Sequence, residues 1–104
     1  MAILVKTEIT ITNGFEAWKK MVHAQTDKLH EMGISFLYAA TEHDDPTKLH
    51  TAMRFDSLEV LKQFGADETL INERREAGVI IESGILTILS EDFMTNYPEP
   101  FIQR

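Results

Sequence analysis

Apolar and polar residues alternate most clearly between Ile34 and Asp56, where ISFLYAATEHDD is followed by Asp45-Pro46-Thr47 and then KLHTAMRFD. In an extended chain Ile34, Phe36, Tyr38 and Ala40 share one side, and Ser35, Leu37, Ala39, Thr41 and His43 the other. Leu49, Thr51, Met53 and Phe55 alternate in the same way with Lys48, His50, Ala52, Arg54 and Asp56. Pro46 has the fixed φ that favours a turn, so the pattern predicts a β-hairpin turning at Asp45-Pro46-Thr47. Setting His43 opposite Lys48 puts like faces together and makes Phe36, Tyr38, Met53 and Phe55 one apolar surface.

The flanking segments follow the same logic. Ile3, Val5, Ile9 and Ile11 alternate with Leu4, Lys6, Glu8, Thr10 and Thr12, which predicts a β-branched first strand ended by Asn13-Gly14. Asn13 and Glu16 have capping-box spacing for a helix from about Phe15 to Met32, with Gly33 as its stop. Phe15, Trp18, Val22, Gln25, Leu29 and Met32, with Met21 beside them, form its buried stripe. Asp56 and Glu59 repeat the capping-box spacing before Leu58, Leu61 and Phe64, so a second helix is expected from near Ser57, interrupted at Gly65. Asp67 can cap a further piece, DETLINERREA, in which Leu70, Ile71, Arg74 and Ala77 share a face and Gly78 is the stop. Val79 to Ile81 could start a strand, but Gly84 suggests a bulge or turn, and Ile85 to Glu91 makes the better fourth strand.

Strand, helix, strand, strand, helix, strand is the split βαβ order of an α+β, ferredoxin-like βαββαβ fold, a four-stranded antiparallel sheet with helices over one face. Residues 1–92 are expected to form this domain and residues 93–104, with Pro98 and Pro100, an extended C-terminal tail. On the sheet's other face the pattern places Leu4, Leu37, Ala39, Ala52, Leu86 and Ile88 beside Lys6, Glu8, His50 and Arg54. That face is too apolar for full solvation, and pairing two sheets about a two-fold axis would cover it.

Composition narrows the functions. The 104 residues contain no cysteine, which excludes a disulfide framework, thiolate catalysis and Cys-based zinc sites, and fits a reducing compartment. MAILVK is too short an apolar run for a signal peptide, and no stretch approaches the ~20 apolar residues of a membrane span. A soluble, cytoplasmic protein without a membrane partner is expected. The net charge of −7, without a basic cluster longer than Lys19-Lys20 or Arg74-Arg75, argues against nucleic acid as a partner.

In its order of elements, the Trp of GFEAW, a hairpin turning at Asp-Pro, a broken second helix and the approach AGVIIES to the last strand, the chain resembles the dimeric α/β-barrel superfamily. That superfamily includes antibiotic-biosynthesis monooxygenases, haem-degrading monooxygenases, stress-responsive barrels and small bacterial families of unknown function, the last being closest. The resemblance covers nearly the whole chain and implies a homodimer with a small-molecule cleft between helices and sheet. It does not extend to haem chemistry: Asn13 falls at the end of the first strand, Trp18 lies in the first helix, and the second helical segment has no histidine. Nor does ILVKTEIT contain the first-strand histidine of the stress-responsive branch.

Trp18, Met21, Phe36, Tyr38, Met53 and Phe64 should converge between helices and sheet, as a packed core or as a cleft. Methionine adapts to irregular ligands, and Trp and Tyr each have one polar end, so an elongated apolar molecule of fatty-acyl or polyketide type would suit a cleft there. His23 and Asn72 are candidate polar partners at its mouth. His50 and Arg54, with Glu8 within reach across the sheet, could do acid–base work or hold a carboxylate, against a plain ion-pair cluster. His23, Asp27 and His30 have ligand spacing on one helical face, but a solvated charged face is the better reading, and His43, Asp44 and Asp45 read as a polar turn. No metal or cofactor is expected. Binding ranks above catalysis; a cofactor-independent oxygenation or isomerisation in the same cleft is the alternative, and a structural dimer without ligand the third reading.

Overall fold

The computed structural model describes residues 2–90 and 92. The elements run β1 (Ile3–Ile11), α1 (Phe15–Ala24), α2 (Thr26–Met32), β2 (Ile34–Glu42), β3 (Asp45–Phe55), α3 (Leu58–Ala66), α4 (Glu68–Glu76) and β4 (Val79–Ile88). The sheet order is β2-β3-β1-β4 with every neighbouring pair antiparallel, which is the α+β ferredoxin-like arrangement that the order of elements predicts. The expected tail, residues 93–104, lies outside the described residues. Among the described residues no helix is long and apolar enough to cross a membrane.

The strands with the most regular alternation, β1 and β3, occupy the centre of the sheet. Their pairing sets Ile3 opposite Phe55, Val5 opposite Met53 and Ile9 opposite Leu49, so one side of both strands is continuously apolar. Trp18 and Val22 of α1, Leu29 of α2 and Leu70 of α4 close over that side, and Leu49, Phe55 and Leu70 are completely withdrawn from water. Each such side chain contributes roughly 1.5–3 kcal/mol through burial.

The helices break where side chains compete with the backbone. The helix expected from Phe15 to Met32 is interrupted at Gln25, next to Thr26, whose hydroxyl donates to the Val22 carbonyl at 3.3 Å. Such back-bonding bends helices. Gln25 itself is buried and its Nε2 donates to Glu73 Oε1 of α4 at 3.0 Å. Gly14, not Asn13, is the N-cap of α1; its φ of 89° and ψ of 161° suit glycine alone, and Asn13 packs against Gly78. The cap of α3 is Ser57, whose hydroxyl accepts from the Val60 N–H at 3.2 Å, while Asp56 accepts from Arg54 at 2.8 Å. Helix α3 continues through Gly65, and the break falls at Asp67. The Asp67 carboxylate caps α4 by accepting from the Leu70 N–H at 3.0 Å and pairs with Lys28 of α2 at 3.0 Å.

The hairpin departs from the expected register in two places. Its turn is His43-Asp44, because Glu42 already pairs with Asp45. Asp45 Oδ1 accepts from the Thr47 N–H at 3.0 Å and the Thr47 hydroxyl at 2.6 Å, which builds Asp-Pro-Thr into the start of β3. Further along, Phe36 pairs with Met53 but Tyr38 with Ala52, leaving Leu37 as an extra residue. This β-bulge exchanges the two faces of β2 beyond Phe36. Tyr38, expected in the apolar surface under the helices, is turned to the far side and is 45% exposed, and Ala39 takes the inward place against the core.

Strand β4 starts at Val79, earlier than expected, and ends at Ile88. Its register shifts between Ile80 and Ile85, where Ser83 Oγ accepts from the Thr10 N–H at 2.9 Å and donates to the Ile80 carbonyl at 2.6 Å. Leu86 then pairs with Thr7 and Ile88 with Val5, so both lie on the helix side rather than on the far face where the alternation had put them; Ile85, opposite Glu8, points to the far face.

Two tests follow from these contacts. A Cβ on Gly78, whose φ is +95°, would lie 2.8 Å from the Asn13 backbone nitrogen, whereas one on helical Gly65 meets nothing within 4 Å. Gly78→Ala should cost about 2–4 kcal/mol in urea unfolding, and Gly65→Ala should stabilise by about 0.5–1 kcal/mol. The second test concerns Arg75 of α4, which grips Glu82 of β4 through two hydrogen bonds of 3.0 and 2.5 Å and holds its carboxyl at about 2, below the ordinary 4.5. A lowered folded-state value means that the stabilisation is complete above about 4.5 and is lost as pH falls through about 2. The stability difference between the native chain and Glu82→Gln should therefore be constant near neutral pH and vanish across that acid window in pH-dependent urea titrations.

Candidate functional site

Between the helices and the sheet lies a cavity of about 320 Å³. Sealed and dry, it would cost about 8 kcal/mol at ~24 cal/mol per Å³, comparable to the stability of a whole domain. It is not sealed, since the exposed residues Gly65, Gly84 and Leu86 belong to its wall. Protein interiors otherwise have few voids larger than a water, so this space is a pocket rather than a packing fault.

The middle of the sheet offers the space little side chain, with Thr7 and Thr51 in its floor. Across the helix side of the sheet, Ala39, Thr51, Thr7 and Leu86 form one paired row, small in three of its four positions. With Tyr38 in the inward place of β2, the ring would lie against the core where Ala39 now does. On either side of that row the floor is apolar, with Val5, Ile9, Phe36, Leu49, Met53 and Phe55. Trp18 of α1 forms a wall, stacked on Phe15 at 5.7 Å and edge-on to Phe36 at 5.6 Å. Met21, Leu61, Phe64 and Ile71 complete the helical side.

The polar lining among the described residues is Thr7, Gln25, Thr51 and Arg74. The Gln25 amide is engaged with Glu73. Arg74 is the only charged residue of the described lining. Its guanidinium carbon sits 5.1 Å from the centre of the Phe64 ring, and it forms no ion pair among the described residues. Burial pushes its pKa down, and neighbouring Arg75 adds to that; the group remains a cation at any physiological pH.

Of the residues expected to converge, Trp18, Met21, Phe36, Met53 and Phe64 line this cavity, and Tyr38 does not. The expected polar partners lie elsewhere. His23 and Asn72 are exposed on the helices and outside the lining, and His50 and Arg54 are on the opposite face of the sheet. Arg74 and Gln25 were not expected as lining residues. Each stands in a predicted apolar stripe, and a long polar side chain within a stripe is the signal that could have found them.

On the far face, His50 Nε2 is 2.8 Å from Glu42 Oε2 and 3.6 Å from Glu8 Oε1, with one ligand atom of each residue within 4.8 Å of the others. Arg54 turns away to Asp56 at 2.8 Å, so the expected Glu8, His50 and Arg54 grouping gains Glu42 and loses Arg54. The three residues are partly or fully open to solvent, where such polar contacts are common and contribute little. His23, Asp27 and His30 are all exposed.

No family model and no curated protein matches the chain. Solved structures do. Rv0793 from Mycobacterium tuberculosis superposes with a TM-score of 0.63 at 15% identity, over 92% of this chain and all of that one. A variant of SnoaB, a cofactor-independent oxygenase from Streptomyces nogalater, gives 0.62 at 6% identity, over 92% and 98% of the two chains. A proposed antibiotic biosynthesis monooxygenase from Nitrosomonas europaea gives 0.60 at 13%, over 93% and 92%. The chain thus shares the α+β ferredoxin-like fold of these solved structures, the architecture that the order of elements in the sequence predicts.

Trp18 is both wall and core, being 4% exposed between two aromatic rings. Trp18→Ala should cost about 3–5 kcal/mol in chemical denaturation, and a near-neutral result would show that its surroundings are open pocket rather than packed interior.

Proposed function

We propose that the protein binds a small, elongated, largely apolar molecule in the cavity between the helices and the sheet. The observation that carries this reading is an open space of about 320 Å³ whose wall combines Trp18, Phe36, Met53, Phe55 and Phe64 with few polar groups. Sites for small molecules have this composition and start at about this size. Methionines at positions 21 and 53 add a surface that adapts to irregular shapes.

A cofactor-independent oxygenation is the second reading, favoured by the likeness in fold to SnoaB. Binding ranks first because the described lining contains no His, Asp, Glu, Lys or Tyr to move a proton. An oxygenase built on this wall would need a substrate acidic enough to ionise with little help.

The reading includes a homodimer. Ile85, at 63% exposed, and Tyr38 and Leu89 leave apolar surface open near one edge and across the far face of the sheet, and a second copy of the chain would cover it.

Native mass spectrometry of freshly purified protein, followed by organic extraction, tests ligand and dimer together. A stoichiometric apolar molecule is expected; extracted material that consumes oxygen when returned to the protein would move the reading to catalysis. Leu61→Phe, which adds volume to the wall, should weaken retention of that molecule about tenfold while leaving the fold intact. Ile85→Asp should convert a dimer to monomers at micromolar concentration, and an unchanged mass would remove that face from the interface.

A further inference from the structure

We infer that the cavity selects a lipophilic monocarboxylate, and that Arg74 is the residue that takes its carboxylate. The inference rests on the binding reading above and adds the chemistry of the ligand's head.

A cation in the wall of an apolar space needs an explanation, because withdrawing a charge from water without a partner is costly. The two neighbouring arginines of α4 have opposite fates. Arg75 points outward and is held by both oxygens of Glu82, whereas Arg74 lines the cavity and has no carboxylate partner among the described residues. Both lie in the last turn of α4, where the helix dipole favours a positive charge. That accounts for basic residues at the helix end, and not for one of them facing a pocket. Phe64 supports the guanidinium over its ring, which occupies a face of the fork and leaves N–H groups at its edge for an anion.

The rest of the wall limits what the anion can be. One cation balances one negative charge, and the Gln25 amide, which already gives an N–H to Glu73, is neutral and adds no compensating charge. A phosphate or other dianion would be left under-compensated, inside a chain whose net charge is −7. A carboxylate matches the guanidinium fork through two parallel hydrogen bonds, and an acyl or polycyclic body fits the aromatic and methionine walls. A neutral alcohol of the same length would fill the same apolar space and leave Arg74 without a counter-charge.

The test uses decanoic acid and decan-1-ol as probes with the full-length protein at pH 7.5, followed by the fluorescence of Trp18, the single tryptophan and a wall residue. The native protein should bind decanoate about ten- to hundredfold more tightly than decanol. Arg74→Met should lose that preference while still binding decanol, and Arg74→Lys should keep part of it. Equal affinity of the native protein for acid and alcohol would overturn the inference and leave the apolar cavity reading standing. A preference that survives in Arg74→Met would assign the anion to another group and overturn it as well. If neither probe binds the native protein, the binding reading itself fails, and the inference with it; the comparison of acid and alcohol in the native chain decides the matter even if the methionine variant does not fold.

Discussion

Residues that face each other across an antiparallel ladder must lie on the same side of the sheet, and one inserted residue is enough to exchange the sides. The bulge at Leu37 does this in β2. Before it, Ile34 and Phe36 point under the helices; beyond it, Ala39 and Thr41 do, and Tyr38 goes to the far face. Much else depends on that exchange. It sets Ala39 against the core beside Thr51 and Thr7, which the pairing of β1 with β3 already turns inward. Thr7 and Thr51 form part of the cavity floor.

The helical layer is arranged to leave this space open. Helix α3 has no fully buried residue and rests on the sheet through the partly buried Val60, Leu61 and Phe64. It is held at its ends by the Ser57 cap and by Asp67, which belongs at once to the cap of α4 and to the ion pair with Lys28. Across the layer, Gln25 at the break between α1 and α2 reaches Glu73 of α4. Both breaks therefore serve as junctions where the two helical pairs are tied by polar contacts, and those ties frame the cavity without filling it.

The two faces of the sheet follow different electrostatic rules. On the far face polar groups are partly solvated and engaged among themselves, His50 with Glu42 in a hydrogen bond and Arg54 with Asp56 in an ion pair. Screening makes such pairs weak contributors to stability. Under the helices Arg74 is the one cation of the described lining and stands against an apolar wall, where an interaction with an anion is screened far less. The charged residue of the described cavity lining is thus Arg74, although His50 and Arg54 look more like site residues when only the strand pattern is considered.

The sequence by itself determined the order of elements, the central strands and most of the apolar wall, because β1 and β3 alternate regularly and the stripes of the helices are set by the helical repeat. Trp18, Met21, Phe36, Met53 and Phe64 were legible for that reason. Break points were legible only in part: Asp67 announces itself as a cap, but the break at Gln25 depends on a Thr26 hydroxyl competing for a backbone carbonyl. Tertiary structure alone decided the faces of β2 and β4, since a bulge has no fixed residue signature and the partner strand decides which residue is left over. It also decided the fate of the charges. An arginine in an apolar stripe can pair with a carboxylate, reach solvent or face a pocket, and only the packing of α4 beside Phe64, with Glu82 already taken by Arg75, turned Arg74 to the cavity.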